Sequence, residues 1–239
     1  MLISLIIPLY NEEKRLTHYF PKLYIFMSKN FDERTFEIIL IDDGSVDNTK
    51  QIANQLDQIY TDIALKIVSY HRNQGKGYAI QAGVLIAKGD YIFFSDIDLS
   101  TDLAFIKKAL ALLQFKNFDI VIPSRRLKQS SLVKKQSYLR EYMGKTYTYL
   151  ANRILNLEFT DITCGLKGFK RESAKKIFRF LSSRTWSFDA EILYKAKQLN
   201  YKIAEIPTVW KNDQNSKVNL FSDSLKSFID LIKIRLSNI

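Results

Sequence analysis

Short apolar runs alternate with longer amphipathic stretches along residues 1–100, and this alternation is the main structural signal in the chain. The apolar runs predict buried strands at Leu2–Pro8, Phe36–Ile41, Ala64–Ser69 and Tyr91–Ser95. The intervening stretches predict helices at Asn11 to about Asn30, Ser45 or Asp47 to about Tyr60, and Gly75–Ala87. Because strands that alternate with helices are joined by right-handed crossovers, the pattern predicts an α/β fold with a mostly parallel central sheet flanked by helices.

The second half of the chain is predicted to contain more helix and longer polar segments. The predicted strands are Ile120–Pro123, Gly165–Phe169 and Ile203–Trp210. The predicted helices are Asp102–Phe115, Ser137 to about Asn156, Glu172–Phe180, Phe188–Leu199 and Leu220–Leu236. The last helix is amphipathic, because Leu225, Phe228, Ile229, Ile232 and Leu236 recur at helical spacing. No regular structure is predicted for the basic segment Ser124–Lys135 or the polar segment Lys211–Asn219.

Composition limits the classes of function. The 239 residues include 36 Lys and Arg against 25 Asp and Glu, a net charge of +11 that suits phosphorylated substrates, an anionic membrane surface or nucleic acid. One cysteine and two histidines exclude an internal disulfide and a metal centre built from Cys or His. No apolar run reaches the roughly 18 residues of a spanning helix, and Met1–Pro8 is predicted as a strand and not a signal peptide, so we expect a soluble or peripheral protein.

Two carboxylates, Asp96 and Asp98, end the fourth predicted strand. Residues two apart on a strand point to the same side, and the carboxyl ends of parallel strands are where open α/β sheets bind ligands. Two neighbouring carboxylates repel unless a cation lies between them, and oxygen ligands suit Mg²⁺ or Mn²⁺ carrying substrate phosphates. The alternative is a solvated turn in which Asp98 or Ser100 begins a helix as its N-cap.

Polar residues also follow the other predicted strands. Asp43, in the turn Asp42–Ser45, could accept hydrogen bonds from a base or ribose, although such a turn is also common without function. The segment Pro8–Glu12 could bind ligand or begin a helix. Asn73–Gly77 lacks the spacing of a P-loop but could place backbone N–H groups near a phosphate. Together these strand ends predict a nucleotide site on one edge of the sheet.

The chain resembles the family 2 glycosyltransferases of the GT-A fold. It is most similar to the polyprenyl-phosphate sugar transferases, with the dolichyl-phosphate β-glucosyltransferase branch ahead of the dolichol-phosphate mannose synthase branch. The resemblance rests on Ile6–Glu12, Ile41–Asp47, Asn73–Gly77, Asp96–Asp98, Asp161–Lys167, Trp186–Glu191 and Ser216–Lys217. These segments occur in family order over nearly the whole chain.

The resemblance implies a role for each matching position. Asp96 and Asp98 would hold the metal, and Asp161 and Asp189 are the catalytic candidates. The nucleotide sugar would contact Pro8, Tyr10, Glu12, Asp43, Lys76, Asp96, Ile97, Asp98, Lys211 and Lys217. The acceptor phosphate would meet Arg125 and Arg140, although Arg125 could also serve the donor. The mannose synthases have Arg at the position of Lys211, and Lys loses bidentate binding. For Asp161 and Asp189 a structural role, as a helix cap or in a buried Asp–Lys pair, stays open.

The implied activity is metal-assisted, inverting transfer of a hexose, glucose from UDP-glucose, onto a polyprenyl or dolichyl phosphate at the cytoplasmic face of a membrane, with Mg²⁺ or Mn²⁺ as cofactor. Residues 1–100 would be the nucleotide-binding half and 101–219 the acceptor half of one domain, followed by an amphipathic helix at 220–239. This helix and the Tyr-rich helix Ser137–Asn156 could pack on the domain or on the membrane.

Two alternative functions remain open. One is a nucleotide-sugar transferase that uses GDP-mannose or UDP-N-acetylglucosamine, or a polysaccharide acceptor. The other is a non-catalytic basic module that binds RNA or a membrane. We expect no nucleic-acid partner, because the acidic residues at the sheet edge would repel phosphate in the absence of a metal.

Overall fold

The computed structural model describes residues 1–134, 136–184, 186–213 and 220–237, the last segment with side chains from residue 226 onward. The strands are β1 (Ile3–Leu9), β2 (Phe36–Asp42), β3 (Ala64–Ser69), β4 (Tyr91–Phe94), β5 (Ile120–Ser124), β6 (Ser131–Lys134), β7 (Lys167–Lys170), β8 (Ile203–Pro207) and β9 (Val209–Lys211). The helices are α1 (Glu13–Asn30), α2 (Thr49–Ile59), α3 (Lys76–Ile86), α4 (Ala104–Phe115), α5 (Tyr138–Leu155), α6 (Arg171–Arg179), α7 (Phe188–Gln198) and α8 (Leu220–Leu236).

Seven strands form one sheet in the order β3-β2-β1-β4-β7-β5-β8. Every neighbouring pair is parallel except the two pairs made by β7, which runs antiparallel to β4 and β5. The predicted mostly parallel sheet flanked by helices is therefore confirmed. As a result, the carboxyl ends of β1, β2, β4 and β5 and the amino end of β7 share one edge.

Helices cover both faces of this sheet. Alternate side chains of β1 point to opposite faces: Ile3, Leu5 and Ile7 pack with α1, α2 and α4, whereas Ile6 packs with α3 and α7. The core therefore has two apolar layers, one on each side of the sheet, and the central strands are almost entirely buried. Such burial holds the polar strand ends at the edge in fixed positions.

The prediction of a single strand at Ile203–Trp210 is wrong about the number of strands. The chain forms two strands there, β8 in the main sheet and β9 in a second sheet with β6. Pro207 ends β8, where it lacks the N–H group that a ladder needs. Strand β6 lies in the basic segment for which no strand was expected, because its four residues are all exposed and show no buried face.

Helix α8 packs on the domain along one side. Leu231 and Ile234 are buried in the same cluster as Ala151 and Leu155 of α5. The opposite side leaves apolar side chains partly exposed, namely Phe228, Ile229, Ile232 and Leu236. Among the helices of the described residues, none combines the length and the hydropathy needed to cross a membrane.

Candidate active site

The loops that follow β1 and β2 are joined by hydrogen bonds. The backbone N–H of Asn11 donates to Ser45 Oγ (2.9 Å), and that of Glu12 donates to Thr49 Oγ1 (2.7 Å). Glu12 also forms an ion pair of 3.2 Å with Arg15, which pairs in turn with Asp213 at 3.1 Å. The predicted nucleotide ligands Pro8, Tyr10, Glu12 and Asp43 therefore lie on adjacent strand ends.

Asp43 uses both carboxylate oxygens to hold the loop before α3. Its Oδ1 accepts from the backbone N–H of Gln74 (2.7 Å), and its Oδ2 accepts from the N–H of Gly75 and Nδ2 of Asn73, both at 2.9 Å. Burial raises the pKa of Asp43 despite these bonds. Gly75 has a φ of 99°, which a glycine adopts without strain. The role of Asp43 as a nucleotide ligand stays a prediction.

Asp96 and Asp98 line a polar cavity of about 150 Å³ at the carboxyl end of β4. Asp98 Oδ1 accepts from the backbone N–H of Ser100 at 2.9 Å, within a turn where Leu99 has a φ of 48°. Burial and then the neighbouring Asp96 charge raise the pKa of Asp98. Two carboxylates at one partly buried edge therefore place negative charge where a cation would relieve it.

The two carboxylates suit a divalent cation by their chemistry, although one of them already pairs with a lysine. Lys76, the first residue of α3, already places its ammonium 2.5 Å from Asp96 Oδ1. A Cβ at Gly165 would lie 2.3 Å from Asp96 Oδ2, so the missing side chain leaves room for that oxygen. Among the described residues no cluster of three or more His, Cys, Asp or Glu could hold a metal. Two carboxylates suit Mg²⁺ or Mn²⁺ when substrate phosphates supply further oxygens.

Arg125 and Asp161 form a buried bidentate pair beside the cavity. Arg125 Nε lies 2.6 Å from Asp161 Oδ2, and Nη2 lies 2.8 Å from Oδ1. Burial alone would raise the pKa of Asp161, but Arg125 outweighs it and holds this pKa below its usual value. The guanidinium also donates to Thr163 Oγ1 (2.9 Å) and lies over the ring of Trp210. Arg125 is therefore fixed with its remaining surface towards the cavity that it lines.

Glu205 of β8 holds the turn that contains Asp161. Its carboxylate accepts from the backbone N–H of Thr160 (3.0 Å) and of Asp161 (2.8 Å), and from Thr160 Oγ1 (2.7 Å). Sequence reasoning did not identify Glu205, because it precedes Ile206 and Pro207 in an ordinary strand pattern and its partners lie about 45 residues earlier.

Asp189, the second catalytic candidate, forms a buried pair with Lys167. Lys167 is fully buried, and its Nζ lies 2.5 Å from Asp189 Oδ1 and 2.7 Å from the carbonyl oxygen of Cys164. Burial raises the pKa of Asp189, although Lys167 and Lys76 oppose this. The structure thus contains a buried Asp–Lys pair, which is the structural role left open for Asp189. The catalytic roles of Asp161 and Asp189 stay predictions.

An apolar groove of about 400 Å³ opens from the polar cavity and runs between α5 and α8. Its apolar walls are Tyr142, Met143, Tyr147, Leu150, Trp186, Phe228 and Leu231. The groove and the polar cavity share a set of polar residues, which are Asp96, Arg125, Gln136, Arg140 and Thr163. The two predicted acceptor-phosphate residues, Arg125 and Arg140, therefore lie where a polar chamber meets an apolar one.

The remaining predicted site residues lie apart from the cavity walls or outside the described residues. Ile97 is 3% exposed and packs in the core, so only its backbone is available at the site. Lys211 of β9 has an exposed side chain, while its neighbours Trp210 and Asn212 line the polar cavity. Lys217 lies outside the residues that the structure describes. The roles of Lys211 and Lys217 stay predictions.

Several cavity residues were not identified from the sequence as site residues. They include Gln136, Thr163, Trp186 and Trp210. The chain has only two tryptophans, and both line the site, so their rarity was the available signal. Trp186 also belongs to one of the segments on which the family resemblance rests, but its environment depends on α3 and α5, which are distant in sequence.

Comparison with known proteins defines the class. The sequence model of glycosyl transferase family 2 matches residues 4–178, and the chain belongs to this family. The resemblance drawn from the sequence segments is confirmed.

Individual relatives agree with this class. The chain is 33% identical to the dolichyl-phosphate beta-glucosyltransferase of Dictyostelium discoideum, over 98% of this chain and 73% of that protein. It is 32% identical to the protein of the same name from Mus musculus, over 98% and 75%, and 30% identical to that of Saccharomyces cerevisiae, over 98% and 74%.

Solved structures share the fold. Glucosyl-3-phosphoglycerate synthase from Mycobacterium tuberculosis in complex with UDP superposes with a TM-score of 0.70 at 18% identity, over 100% of this chain and 81% of that chain. Staphylococcus aureus TarS in complex with UDP-GlcNAc gives 0.65 at 20% identity, over 100% and 67%. This likeness confirms the predicted GT-A fold.

Proposed function

We propose that this protein transfers glucose from UDP-glucose to a polyprenyl phosphate of the dolichyl type, with inversion at the anomeric carbon and with the help of Mg²⁺ or Mn²⁺. The observation that carries the proposal is the junction of the two cavities, where Arg125 and Arg140 separate a chamber lined by carboxylates from an apolar groove. A lipid phosphate needs these two environments side by side. The names of the relatives, dolichyl-phosphate beta-glucosyltransferase, support the same acceptor and sugar.

The apolar groove suits the chain of the acceptor. Its walls come from α5 and α8, and its volume of about 400 Å³ accommodates the first isoprene units and not a whole polyprenyl chain. The groove includes Tyr142, which is 70% exposed, and Phe228, which is 39% exposed, so its walls continue onto the surface. The rest of the lipid would therefore remain in the membrane.

The acceptor phosphate would bind to Arg125 and Arg140. Arg125 is fixed by Asp161 and Thr163, so the guanidinium needs little reorganisation to meet an anion. A lipid phosphate with a second pKa of about 6 is largely dianionic near neutral pH and is already a nucleophile. Placement by the two arginines would then contribute more to the rate than a general base does.

The two catalytic candidates would act by positioning. The low pKa of Asp161 keeps it ionised, which makes it a weak base and a strong partner for Arg125. Asp189 lines the groove and is held by Lys167 through one oxygen, which leaves its other oxygen as a candidate acceptor for a sugar hydroxyl. We propose that Asp189 orients the glucosyl group and that Asp161 orients Arg125.

Asp96 and Asp98 are the residues that would hold the divalent ion. When bound, the ion supplies positive charge against the phosphate oxygens of the departing UDP. Lys211 and Lys217 are proposed to add positive charge on the same side, from a segment that begins at β9.

The proposed site of action is the surface of a membrane, on its cytoplasmic face. The outer sides of α5 and α8 expose large apolar side chains: Tyr138, Leu139, Tyr142, Tyr149, Phe228, Ile229, Ile232 and Leu236. Lys226, Lys233 and Arg235 are exposed on α8 beside them. A surface with apolar and basic residues together suits the interface of an anionic membrane. The mouth of the groove would then face the lipid.

A donor screen tests the proposal. Purified protein would receive UDP-glucose, UDP-N-acetylglucosamine, UDP-galactose or GDP-mannose, together with a polyprenyl phosphate, in Mg²⁺, in Mn²⁺ and in EDTA. We expect glucosyl transfer to the lipid that EDTA abolishes and that Asp98→Ala lacks. Preference for another donor would replace glucose by another sugar in the proposal. UDP binding without transfer to the lipid would refute the proposed acceptor.

A further inference from the structure

Lys76 neutralises one member of the Asp96–Asp98 pair. Its Nζ lies 2.5 Å from Asp96 Oδ1, and the two side chains are 17% and 37% exposed, so water screens the pair only in part. A divalent ion that uses the Asp96 carboxylate therefore meets a positive charge that is already in contact with it. Lys76 therefore reduces the negative charge that the Asp96 carboxylate offers to an ion.

The backbone around Lys76 is held in place by hydrogen bonds on both sides of the residue. The N–H groups of Gln74 and Gly75 donate to Asp43, and the N–H of Gly77 donates to the carbonyl oxygen of Arg184 at 2.9 Å. These bonds fix the backbone before and after Lys76. Lys76 can therefore leave Asp96 by rotation of its side chain, without movement of its backbone.

A second carboxylate lies within the electrostatic reach of Lys76. Asp189 attracts the ammonium group and lines the same groove. The rings of Trp186 and Phe188 lie 5.3 Å and 5.8 Å from the Lys76 nitrogen and favour a cation next to them. The ammonium group thus has favourable surroundings besides Asp96.

We infer that Lys76 is an exchangeable cation that occupies Asp96 until a divalent metal ion takes its place, and that it thereby keeps the site weak towards free metal ions. The inference rests on the assignment of Asp96 and Asp98 to the metal in the proposed function. Its consequence is that metal binds tightly only together with the phosphates of the nucleotide, which add the negative charge that Lys76 has cancelled.

The test is a titration with Mn²⁺ in the absence of nucleotide, followed by the electron paramagnetic resonance signal of the free ion. We expect Lys76→Met to bind Mn²⁺ about tenfold more tightly than wild type, which corresponds to about 1.4 kcal/mol. Lys76→Arg keeps the charge and should remain close to wild type. Lys145→Met removes an equal charge from α5, where Lys145 pairs with Glu141, and should leave Mn²⁺ binding unchanged.

Two further measurements protect the test against a folding defect. Asp96→Asn added to Lys76→Met should abolish the gain in Mn²⁺ affinity, because the freed carboxylate is then missing. In a Trp210→Phe background Trp186 is the single tryptophan, and Mg²⁺ should change its emission only while Lys76 is present, since the ammonium group lies near its ring.

The outcomes separate the inference from the proposed function. Equal or weaker Mn²⁺ binding by folded Lys76→Met, with Trp186 emission that does not respond to Mg²⁺ in the presence of Lys76, would overturn the role of Lys76 and leave the metal assignment intact. Absence of Mn²⁺ binding in every protein, with and without UDP, would overturn the metal assignment and the inference together.

Discussion

The guanidinium group of Arg125 makes two hydrogen bonds to the carboxylate of Asp161, of 2.6 Å to Oδ2 and 2.8 Å to Oδ1. Asp161 is completely buried, so this pair depends on both members being present. Arg125 lines both the polar cavity and the apolar groove. The Arg125–Asp161 ion pair therefore contributes to stability and also positions the residue that we propose binds the acceptor phosphate.

Arg125→Ala should damage stability and acceptor use together. Removing one partner of a buried ion pair costs about 3–5 kcal/mol. Loss of a charged contact to phosphate, worth about 1.5–3 kcal/mol, should raise the KM for polyprenyl phosphate by about tenfold to a hundredfold. Urea unfolding measures the stability, acceptor kinetics measure the KM for polyprenyl phosphate, and calorimetry measures the affinity for UDP. Arg125→Lys keeps the charge without the bidentate geometry and should be intermediate. A larger effect on UDP binding would move Arg125 to the donor side.

Asp98→Ala should abolish transfer and Mn²⁺-dependent UDP binding while leaving the fold intact. Asp98 lines the polar cavity and has a raised pKa, so its removal relieves repulsion and does not break the core. Calorimetry of UDP with and without Mn²⁺ and circular dichroism check the two parts. Full activity of this variant would refute Asp98 as a metal ligand.

Gly165→Ala should weaken metal-dependent UDP binding by about tenfold, the change that corresponds to 1.4 kcal/mol. The new methyl group would lie 2.3 Å from Asp96 Oδ2, so the carboxylate must turn away from its present position. Gly144→Ala is the matched control, because the nearest heavy atom to its methyl group is 3.6 Å away, on the Arg126 side chain. This control lies within α5 and should stabilise the protein by up to about 1 kcal/mol. Equal UDP binding by both variants would contradict the prediction.

Glu191 should make stability depend on acidic pH. Its buried carboxylate accepts from the N–H groups of Ser182 (2.9 Å) and Ser183 (2.6 Å). Burial alone would raise the pKa of Glu191, but these bonds and Lys195 lower it from the ordinary 4.5. A depressed pKa stabilises the folded state above the unfolded pKa, and this contribution disappears as the pH falls through the folded value.

Glu191→Gln should therefore cost about 1–3 kcal/mol at pH 7 and flatten the loss of stability below pH 4.5. Thermal unfolding between pH 3 and pH 7 measures this, with the exposed Glu158→Gln as a control. A wild-type slope in Glu191→Gln would show that other carboxylates dominate the acid response.

The double variant Ile232→Ser/Leu236→Ser should bind anionic vesicles at least about tenfold more weakly, because each large apolar side chain contributes about 1.5–3 kcal/mol when fully buried and these two are 43% and 76% exposed. The matched control is Ile25→Ser/Ile59→Ser, two exposed apolar residues on α1 and α2, which cover the opposite face of the sheet. Sedimentation with vesicles of phosphatidylcholine and phosphatidylglycerol measures the partition. Equal weakening in both pairs would argue against a preferred membrane face.

The order of the elements was readable from local patterns. Runs such as Ile38–Ile41 are apolar at every position because both faces of a parallel sheet are covered, and that property belongs to the strand itself. The polar residues that follow such runs, including Asp43 and Asp96, were found because strand direction places them at one edge. Burial periodicity and strand direction are properties of short segments, so the sequence was sufficient for the fold class and for a prediction of the sheet edge that carries the candidate site.

Pairings between distant segments could not be found in this way. Strand β6 exists because β9 lies beside it, and the two are about 80 residues apart. The partners of Asp161, Asp189 and Asp96 are Arg125, Lys167 and Lys76, and each pairing depends on which strands are neighbours in the sheet. A carboxylate is a metal ligand, a base or a structural partner according to the cations and dielectric around it. Those surroundings exist only in the folded chain, because packing brings together charges that the sequence keeps far apart.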